Sequence, residues 1–278
     1  MGARDEVLIS AAELAALIDS GDPVTLLDVR WRLDEPDGRA AYLQGHLPGA
    51  VYASLDDDLS DHSVAGRGRH PLPSGRHLQA AARRWGIDQG SPVVVYDDWN
   101  RAGSARAWWV LTSAGLERVR ILDGGLAAWR SAGGALETGP IEPTPGNVTV
   151  RHDDLYSGGR PTLTAEQTGA VTLLDARAPE RFRGDVEPID PVGGHIPGAS
   201  NLPSAEVLRE DGTFVDDVGR LLPADGADGE VGVYCGSGVT AAVVIAALAA
   251  AGRDAALYPG SWSEWCSEPA RPVARGAE

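Results

Sequence analysis

Four short blocks of sequence occur twice in this chain of 278 residues, each time in the same order. The matching blocks are residues 26–30 with 173–177, 45–50 with 194–199, 93–97 with 231–235, and Gly124 and Trp129 with Gly260 and Trp265. The repeating unit is far longer than the roughly 20–50 residues of a solenoid repeat. The sequence therefore predicts two copies of one domain.

Short apolar runs alternate with helical patterns in each half of the chain. Residues 24–29, 93–96 and 119–122 are apolar, as is typical of buried strands. Residues 103–113 and the stretch around Trp129 are rich in Ala and Trp, and we expect helices there. Alternating strands and helices favour a parallel sheet that is covered on both faces. The sequence thus predicts an α/β protein with two tandem domains, each a mostly parallel sheet flanked by helices.

Capping patterns and composition suggest where each domain begins and ends. Ser10 with Glu13, and Thr164 with Gln167, form capping-box patterns that predict a helix start early in each half. Residues 131–147 are rich in Gly, Pro and Glu, which is typical of a linker. We predict an N-terminal domain over residues 7–137, a linker over 138–162 that wraps one domain against the other, and a C-terminal domain over 163–274.

The composition argues against several classes of function. The formal net charge of -16 opposes binding to the phosphates of DNA or RNA. The longest apolar run, residues 239–251, is too short to span a bilayer, and the charged N-terminus lacks the apolar core of a signal peptide. Cys235 and Cys266 are too few for a disulfide framework or a cysteine metal cluster. We expect a soluble cytoplasmic protein that binds neither nucleic acid nor membrane.

Cys235 lies where a predicted strand passes into a predicted helix. The apolar residues 231–234 predict the strand, and ligand sites in parallel sheets favour the position directly after it. Gly236 and Gly238 let the backbone curl so that N–H groups point inward. Such a nest beside a helix N-terminus stabilises an anion, including a thiolate. The pattern predicts a nucleophilic cysteine, with a buried and unreactive thiol as the alternative.

The first half lacks this nucleophile. Asp97 occupies the place of Cys235, and the loop that follows Asp97 is longer and of different composition. The first domain therefore keeps the scaffold without the reactive group. We expect one active site, at the interface between the two halves.

The residues at 235–241, Cys-Gly-Ser-Gly-Val-Thr-Ala, resemble the active loop of the 3-mercaptopyruvate sulfurtransferases in the rhodanese family. The Gly-His-aliphatic-Pro-Gly-Ala blocks at 45–50 and 194–199 are typical of rhodanese domains. The resemblance extends from about residue 7 to residue 265. It implies a tandem rhodanese fold with a non-catalytic N-terminal domain and a catalytic C-terminal domain. It also implies a sulfurtransferase that carries sulfur as a persulfide on Cys235, with no metal or organic cofactor.

The resemblance further implies roles for individual residues. Arg181 matches the family arginine that binds the carboxylate of the substrate. Ser237 matches the serine of a proton relay, for which His70 and Asp56 are the matching histidine and aspartate. The other loop residues expected at the substrate are Gly236, Gly238, Val239 and Thr240.

Two parts of this match stay open. Asp57 and Asp58 adjoin the matching aspartate, and His62 competes with the matching histidine. Family members often carry a second arginine in a Pro-Glu-Pro-Arg stretch, whereas residues 187–192 read Glu-Pro-Ile-Asp-Pro-Val. The second carboxylate clamp is therefore absent or supplied from elsewhere, and Arg183 is one candidate.

Several polar residues recur in both halves and are assigned to the scaffold, because the inactive half has kept them. They are His46, His195, Asp28 and Asp175. Cys266, next to Trp265, is assigned to packing, with a redox role as the alternative.

Sulfur transfer from 3-mercaptopyruvate to a thiol, thioredoxin or cyanide is the leading hypothesis. Gly236 and Ser237 form a small neutral loop that suits a carboxylate-bearing donor held by Arg181. Thiosulfate sulfurtransferases typically carry Arg and Lys at these two loop positions, and thiosulfate is the alternative sulfur donor.

A cysteine phosphatase is disfavoured, because Thr240 and Ala241 stand where its phosphate-binding arginine would be needed. A non-catalytic sulfur carrier or binding module is a third hypothesis, and the intact loop argues against it.

Overall fold

The computed structural model describes residues 2–223 and 229–277. The first half contains five strands, β1 (Leu8–Ile9), β2 (Thr25–Asp28), β3 (Val51–Tyr52), β4 (Val93–Tyr96) and β5 (Val119–Leu122). Its helices are α1 (Ala3–Val7), α2 (Ala11–Asp19), α3 (Arg39–Gln44), α4 (Leu55–Asp58), α5 (Gly75–Arg84), α6 (Ala102–Ser113) and α7 (Gly125–Ser131). This half therefore alternates strands with helices, as the sequence predicts.

The second half is built in the same way with fewer elements. Its strands are β6 (Thr172–Asp175), β7 (Ser200–Asn201), β8 (Val231–Tyr234) and β9 (Ala256–Leu257). Its α-helices are α8 (Pro179–Arg183), α9 (Ala241–Ala250) and α10 (Ser261–Trp265). Within its described residues, short 3₁₀ helices span Leu155–Ser157, Ala165–Ala170 and Val218–Leu221.

Each half forms one parallel sheet. The strand order is β1-β5-β4-β2-β3 in the first sheet and β7-β6-β8-β9 in the second. In both sheets the two duplicated strands pair in the same register, with Leu27 opposite Val95 in the first half and Leu174 opposite Val233 in the second. The predicted α/β architecture, two tandem domains with mostly parallel sheets flanked by helices, is confirmed.

The two halves share one apolar core. Helix α9 is buried along almost its whole length, and it packs against β8 on one side and against α6 and α1 on the other. A helix enclosed in this way needs apolar residues all round, which explains its Ala, Val, Ile and Leu composition. The apolar run 239–251 thus forms the centre of the domain interface. No helix within residues 2–223 and 229–277 is long and apolar enough to cross a membrane.

The capping pattern at the start of the second half has a different outcome from the one in the first. The Ser10 and Glu13 side chains cap helix α2, as predicted. Thr164 and Gln167 form the same reciprocal cap, but they open a 3₁₀ helix in place of an α-helix. Only residues 165–171 are available there before β6 begins at Thr172, and 3₁₀ geometry spans such a short gap with fewer residues per turn.

The predicted linker runs along the first half before it reaches the second sheet. Val148 N–H donates to Ile87 O at 3.2 Å, and Gly159 N–H donates to Ser113 O at 2.7 Å. Thr162 then forms a parallel bridge to Leu257 of β9. These contacts place the segment against both halves. The boundaries 7–137, 138–162 and 163–274 remain a prediction.

The retained aspartates anchor the same loop in each half. Asp28 pairs with Arg30 at 2.8 Å, and Arg30 Nη2 donates to the carbonyl of Gly45 at 2.5 Å. In the second half, Arg177 Nη2 lies 2.6 Å from Asp175 Oδ2 and donates to Gly194 O at 2.7 Å. Each buried pair therefore fixes the start of a Gly-His-aliphatic-Pro-Gly-Ala block.

The retained histidines of these two loops contact backbone carbonyls. His46 contacts the carbonyls of Leu47 and Gly139 at 2.9 Å each, and His195 Nδ1 lies 2.8 Å from Phe182 O. Both imidazoles are fully buried. The contacts agree with a scaffold role for both.

Candidate active site

Cys235 follows β8 at the carboxyl end of the second sheet and is 2% exposed. Its Sγ accepts a hydrogen bond from Gly238 N–H at 3.2 Å, so the loop directs a backbone donor at the sulfur as predicted. The cysteine backbone is held from the other side, because its N–H donates to Ser261 Oγ at 3.1 Å and its carbonyl accepts from Trp262 N–H at 3.0 Å. A backbone donor therefore points at the sulfur of Cys235, and hydrogen bonds to Ser261 and Trp262 fix the backbone of this residue.

Gly238 is required by the shape of the loop. Its φ of +77° lies in the left-handed region, which residues with a Cβ adopt at a cost. A Cβ at this position would also lie 2.5 Å from the carbonyl oxygen of Pro259. The loop therefore packs directly on the backbone that leads into α10.

Ser237, His70 and Asp56, which the sequence assigns to a relay, lie together in the structure. Ser237 Oγ is 2.8 Å from His70 Nδ1, and His70 Nε2 is 3.4 Å from Asp56 Oδ1. His62 Nε2 is farther from the same carboxylate, at 4.0 Å, and its side chain is half exposed. The chain thus brings a hydroxyl, an imidazole and a carboxylate into one line across the domain interface.

The alternative aspartates are held elsewhere. Asp57 accepts a hydrogen bond from the Ser54 hydroxyl, and its backbone N–H donates to Ser54 Oγ in the cap of α4. Asp58 pairs with Arg84 at 2.6 Å and accepts from the backbone N–H of Ser54. Asp56 is accordingly the acidic residue of α4 whose carboxylate lies at ion-pair distance from His70.

Burial and pairing set the charge state of the relay. Burial lowers the pKa of His70 below its ordinary value of 6.5, so the imidazole is neutral at pH 7. The adjacent imidazole N–H of His70 holds the pKa of Asp56 below its usual value, and this carboxyl is ionised. A neutral imidazole can both accept a proton from Ser237 and return one.

Arg106 is a functional candidate that the sequence analysis missed. It lies on α6, is fully buried, and donates to the carbonyls of Leu59 at 3.1 Å, His70 at 3.0 Å and Gly238 at 3.2 Å. Burial lowers the pKa of this guanidinium to about 10, which leaves it charged at neutral pH. One cation therefore ties the relay histidine to the cysteine loop. An arginine within an otherwise apolar Ala- and Trp-rich helix was the signal that could have revealed it.

Arg181 lies beside the cysteine loop, as the sequence predicts. Its Nη2 is 2.7 Å from Glu187 Oε1 and 3.3 Å from Asp190 Oδ2. Its Nη1 lies 3.5 Å from the position that a Cβ on Gly236 would take. The guanidinium is thus anchored by acidic residues on one side and faces the loop on the other.

The second guanidinium beside the loop comes from the first domain. Arg183, the candidate from the sequence, pairs with Asp185 at 2.7 Å near the surface. Arg69 instead forms an ion pair with Asp190, and its Nη2 lies 3.1 Å from the Cβ position of Gly236. Sequence reasoning missed Arg69 because it precedes the relay histidine and is far from the Arg181 motif in the chain.

Val239 and Thr240 occupy different environments. The Val239 side chain is buried in an apolar cluster with Trp31, Leu55 and Ala102 of the first domain. Thr240 is partly buried and directly precedes α9. Val239 therefore fixes the loop to the first domain through packing, whereas Thr240 sits at the start of the helix.

The place of Cys235 in the first half is filled by a carboxylate. Asp97 accepts hydrogen bonds from the N–H and hydroxyl of Ser104, at 3.0 and 2.6 Å, and pairs with Arg101 at 2.8 Å. Asp97 is buried, and these partners of its carboxylate follow it closely in the chain. The first half thus has a paired carboxylate at the position that Cys235 occupies in the second half.

Cys266 lies in an apolar cluster that includes Phe182, Trp262 and Trp265. Burial raises the pKa of its thiol to about 11, so it is protonated at neutral pH. Cys235 and Cys266 are both free thiols. Within the described residues, no group of three or more His, Cys, Asp or Glu side chains could hold a metal ion.

Comparisons with known proteins agree with this architecture. A family model described as "Rhodanese-like domain" matches residues 10–132 and again residues 162–268. A Mycobacterium tuberculosis protein named "Putative thiosulfate sulfurtransferase SseB" is 71% identical over 282 residues, covering 99% of each chain. A Pseudomonas aeruginosa protein named "Probable 3-mercaptopyruvate sulfurtransferase" is 45% identical over 281 residues, covering 97% of this chain and 98% of its own.

Solved structures show the same likeness. The crystal structure of the 3-mercaptopyruvate sulfotransferase SseA from Escherichia coli has a TM-score of 0.78 and 34% identity, covering 92% of this chain and 98% of its own. That of a 3-mercaptopyruvate sulfurtransferase from Leishmania major has a TM-score of 0.81 and 29% identity, covering 94% of this chain and 74% of its own.

Proposed function

This chain belongs to the rhodanese family of sulfurtransferases, and from that premise we propose that Cys235 accepts sulfur from 3-mercaptopyruvate and holds it as a persulfide. The hydrogen bond from Gly238 N–H to Cys235 Sγ is the observation that carries the proposal. It shows a backbone donor aimed at the atom that must carry negative charge before attack. In this proposal the C-terminal domain is catalytic, and the N-terminal domain contributes His70 and Asp56.

The chemistry of 3-mercaptopyruvate requires a proton to move. The Cys235 thiolate attacks the sulfur of the substrate, the carbon–sulfur bond breaks, and the bonding electrons pass to the carbon as the enolate of pyruvate. The thiol proton of the substrate ends on that carbon, which becomes the methyl group of pyruvate. Cys235 retains the sulfur as a persulfide anion, so atoms and charge balance.

The relay provides a route for this proton. Ser237 Oγ can take up the thiol proton of the substrate while it passes its own proton to neutral His70, 2.8 Å away, and the return of that proton through Ser237 protonates the enolate carbon. Ionised Asp56 stabilises the imidazolium that forms in passing. Arg181 holds the carboxylate of the substrate, because a guanidinium binds a carboxylate through paired hydrogen bonds.

Thiosulfate is the second candidate sulfur donor. The 71% identical relative carries thiosulfate sulfurtransferase in its name, and two guanidinium groups lie beside Gly236. In this reaction the thiolate attacks the outer sulfur, the sulfur–sulfur bond breaks, and sulfite leaves with the electron pair. No proton is transferred, so this reaction needs the two guanidinium groups beside Gly236 but not the relay of Ser237, His70 and Asp56.

The persulfide is then passed to an acceptor. We take a small thiol or a thioredoxin-like protein as the acceptor, with cyanide as the alternative. The thiolate of the acceptor attacks the outer sulfur and regenerates the Cys235 thiolate. Because both steps need reduced thiols, we place the reaction in the cytoplasm, where thiols are kept reduced. No metal or organic cofactor enters either step.

Turnover of the two sulfur donors by matched cysteine variants tests the proposal. Pyruvate release from 3-mercaptopyruvate and sulfite release from thiosulfate are measured with a thiol acceptor for the wild type, Cys235→Ala and Cys266→Ala. Faster pyruvate release, lost in Cys235→Ala and kept in Cys266→Ala, is expected. Faster sulfite release would establish thiosulfate as the donor. Absence of Cys235-dependent turnover would leave a non-catalytic sulfur carrier or binding module as the better account.

A further inference from the structure

Two arginines from different domains converge on the residue after the reactive cysteine. A Cβ on Gly236 would have Arg69 Nη2 as its nearest neighbour, at 3.1 Å, followed by Arg181 Nη1 at 3.5 Å. In the part of the chain that the structure describes, neither nitrogen makes a hydrogen bond to the neighbouring acidic residues. Both guanidinium groups therefore have donors available at the loop.

Arg69 has a further free donor. Its Nε is buried and has no hydrogen-bond partner among the described residues. A buried donor left unsatisfied costs free energy, unless a ligand supplies an acceptor. The backbone N–H of Arg69 is fixed to Ser263 Oγ at 3.1 Å, so its position beside the loop is set by the second domain.

One aspartate joins the two arginines. Asp190 contacts Arg69 through Oδ1 and Arg181 through Oδ2, the latter at 3.3 Å, and its side chain is 4% exposed. Glu187 pairs with Arg181 and also contacts Arg177, which has its own buried carboxylate partner. Two arginines thus face two carboxylates, and the formal charge of these four side chains is zero.

We propose that Arg69 is the second substrate-binding arginine and that, with Arg181, it forms an anion site beside Gly236. We further propose that Asp190 sets the net charge of this anion site and thereby its preference between the two sulfur donors. The inference rests on the proposed sulfur transfer at Cys235. It assigns the clamp that the 187–192 stretch lacks to the first domain. With Asp190 ionised, the site binds a singly charged carboxylate more readily than a dianion, because the aspartate repels the second negative charge of the dianion.

Arg69→Gln tests the first half of the proposal. KM for 3-mercaptopyruvate is expected to rise ~10-fold or more, with kcat within about threefold, because a charge-assisted contact to the substrate is removed. Arg69→Lys keeps the charge and should recover part of that loss. Arg183→Gln is the matched control, since Arg183 pairs with Asp185 near the surface, and its KM should equal that of the wild type.

Asp190→Asn tests the second half. The substitution keeps the size of the side chain but removes one negative charge. kcat/KM for thiosulfate is expected to rise relative to that for 3-mercaptopyruvate by ~10-fold, because a dianion gains more than a monoanion when that negative charge is removed. Thermal unfolding of each variant, followed alongside, shows whether the domains stay docked.

The outcomes separate this inference from the proposed function. If the wild type transfers sulfur through Cys235 but folded Arg69→Gln keeps its KM, the assignment of Arg69 is overturned. If Asp190→Asn leaves the ratio of the two kcat/KM values unchanged, the role of Asp190 is overturned. If the wild type itself shows no Cys235-dependent turnover, the proposed function fails first, and the inference fails with it.

Discussion

His70 and Ser237 lie in different domains, 167 residues apart in sequence, yet their side chains are hydrogen-bonding neighbours at 2.8 Å. Both are buried, so this contact forms only when the two halves are docked. In the proposed mechanism, the second domain supplies the nucleophile and the first supplies the imidazole. Under this proposal, the first half contributes to the chemistry as well as to the fold.

The relay should matter for one sulfur donor and not for the other. Ser237→Ala is expected to lower kcat for 3-mercaptopyruvate by ~10²-fold or more, because general acid–base transfer contributes about that much. Thiosulfate turnover should change by less than about threefold, because sulfite leaves without taking up a proton. Pyruvate and sulfite release by the same enzyme preparation provide the measurement.

A substitution of the histidine separates proton transfer from loop structure. His70→Asn keeps a polar side chain but cannot relay a proton, so its effect should match that of Ser237→Ala. Equal losses with both sulfur donors would show that the two residues only support the loop.

The charge state of the relay predicts a difference between two pH profiles. Burial lowers the folded-state pKa of His70 below 6.5, so the imidazole stays neutral until the pH falls below that value. As the pH falls through the lowered pKa, His70 becomes protonated and can no longer accept a proton. The ratio of kcat/KM for 3-mercaptopyruvate to that for thiosulfate should therefore decline only below pH 6.5. Taking the ratio removes the effect of Cys235, which serves both donors.

The same pKa shift has a consequence for stability. An unfolded chain protonates its histidine at a higher pH than the folded chain does, so the stabilisation from neutral His70 is present above about pH 6.5. It is lost as the pH falls through the folded-state pKa. His70→Asn should show a smaller loss of unfolding free energy between pH 7 and pH 5 than the wild type. An identical pH dependence in both proteins would contradict the lowered pKa.

Much of the fold follows from local pattern. The runs 93–96 and 119–122 are strands with the predicted ends, because β-branched and aliphatic residues at a sheet centre leave little ambiguity. The two-residue strands β1, β3, β7 and β9 could not be predicted, since they carry too few residues for any periodicity. Their positions are set by pairing with the central strands.

The residues of the candidate site also differ in whether the sequence could identify them. Cys235 could be identified from its own loop, because the glycines that shape the loop are its neighbours in sequence. His70 and Asp56 came from the family resemblance, and the structure brings them together. Arg69 could not be found from spacing, since its partner Asp190 lies in the other half of the chain. Arg106 has partners in both halves, and only its place in an apolar helix could have pointed to it. Docking of two domains is a property that neither half encodes alone.

Gly238→Ala should damage the site by a steric route. The new Cβ would lie 2.5 Å from Pro259 O on a backbone with φ of +77°, so the loop must shift. The N–H that points at Cys235 Sγ would shift with it. We expect loss of persulfide formation, measured by the mass increase of the protein after a single exposure to the sulfur donor.

A second glycine provides the control for backbone strain. Gly90 has φ of +78° and open space where a Cβ would be placed. Gly90→Ala should therefore cost only ~1–2 kcal/mol of stability, the cost of left-handed backbone in a residue with a side chain. Persulfide formation in Gly90→Ala should equal that of the wild type, and a normal yield in Gly238→Ala would contradict the proposed role of the loop.

Arg106→Met tests whether the buried guanidinium holds His70 in position against the loop of Cys235. The substitution preserves much of the side-chain volume but leaves the carbonyls of Leu59, His70 and Gly238 without their donor. A buried acceptor left unsatisfied costs about 1–3 kcal/mol, so the unfolding free energy should fall by roughly 3 kcal/mol or more in a urea titration. Because Arg106 positions His70 against the loop, kcat for 3-mercaptopyruvate should fall while KM changes little. Arg76→Met, at a surface arginine, should leave both stability and kcat unchanged, and a normal kcat in folded Arg106→Met would show that the cation serves stability alone.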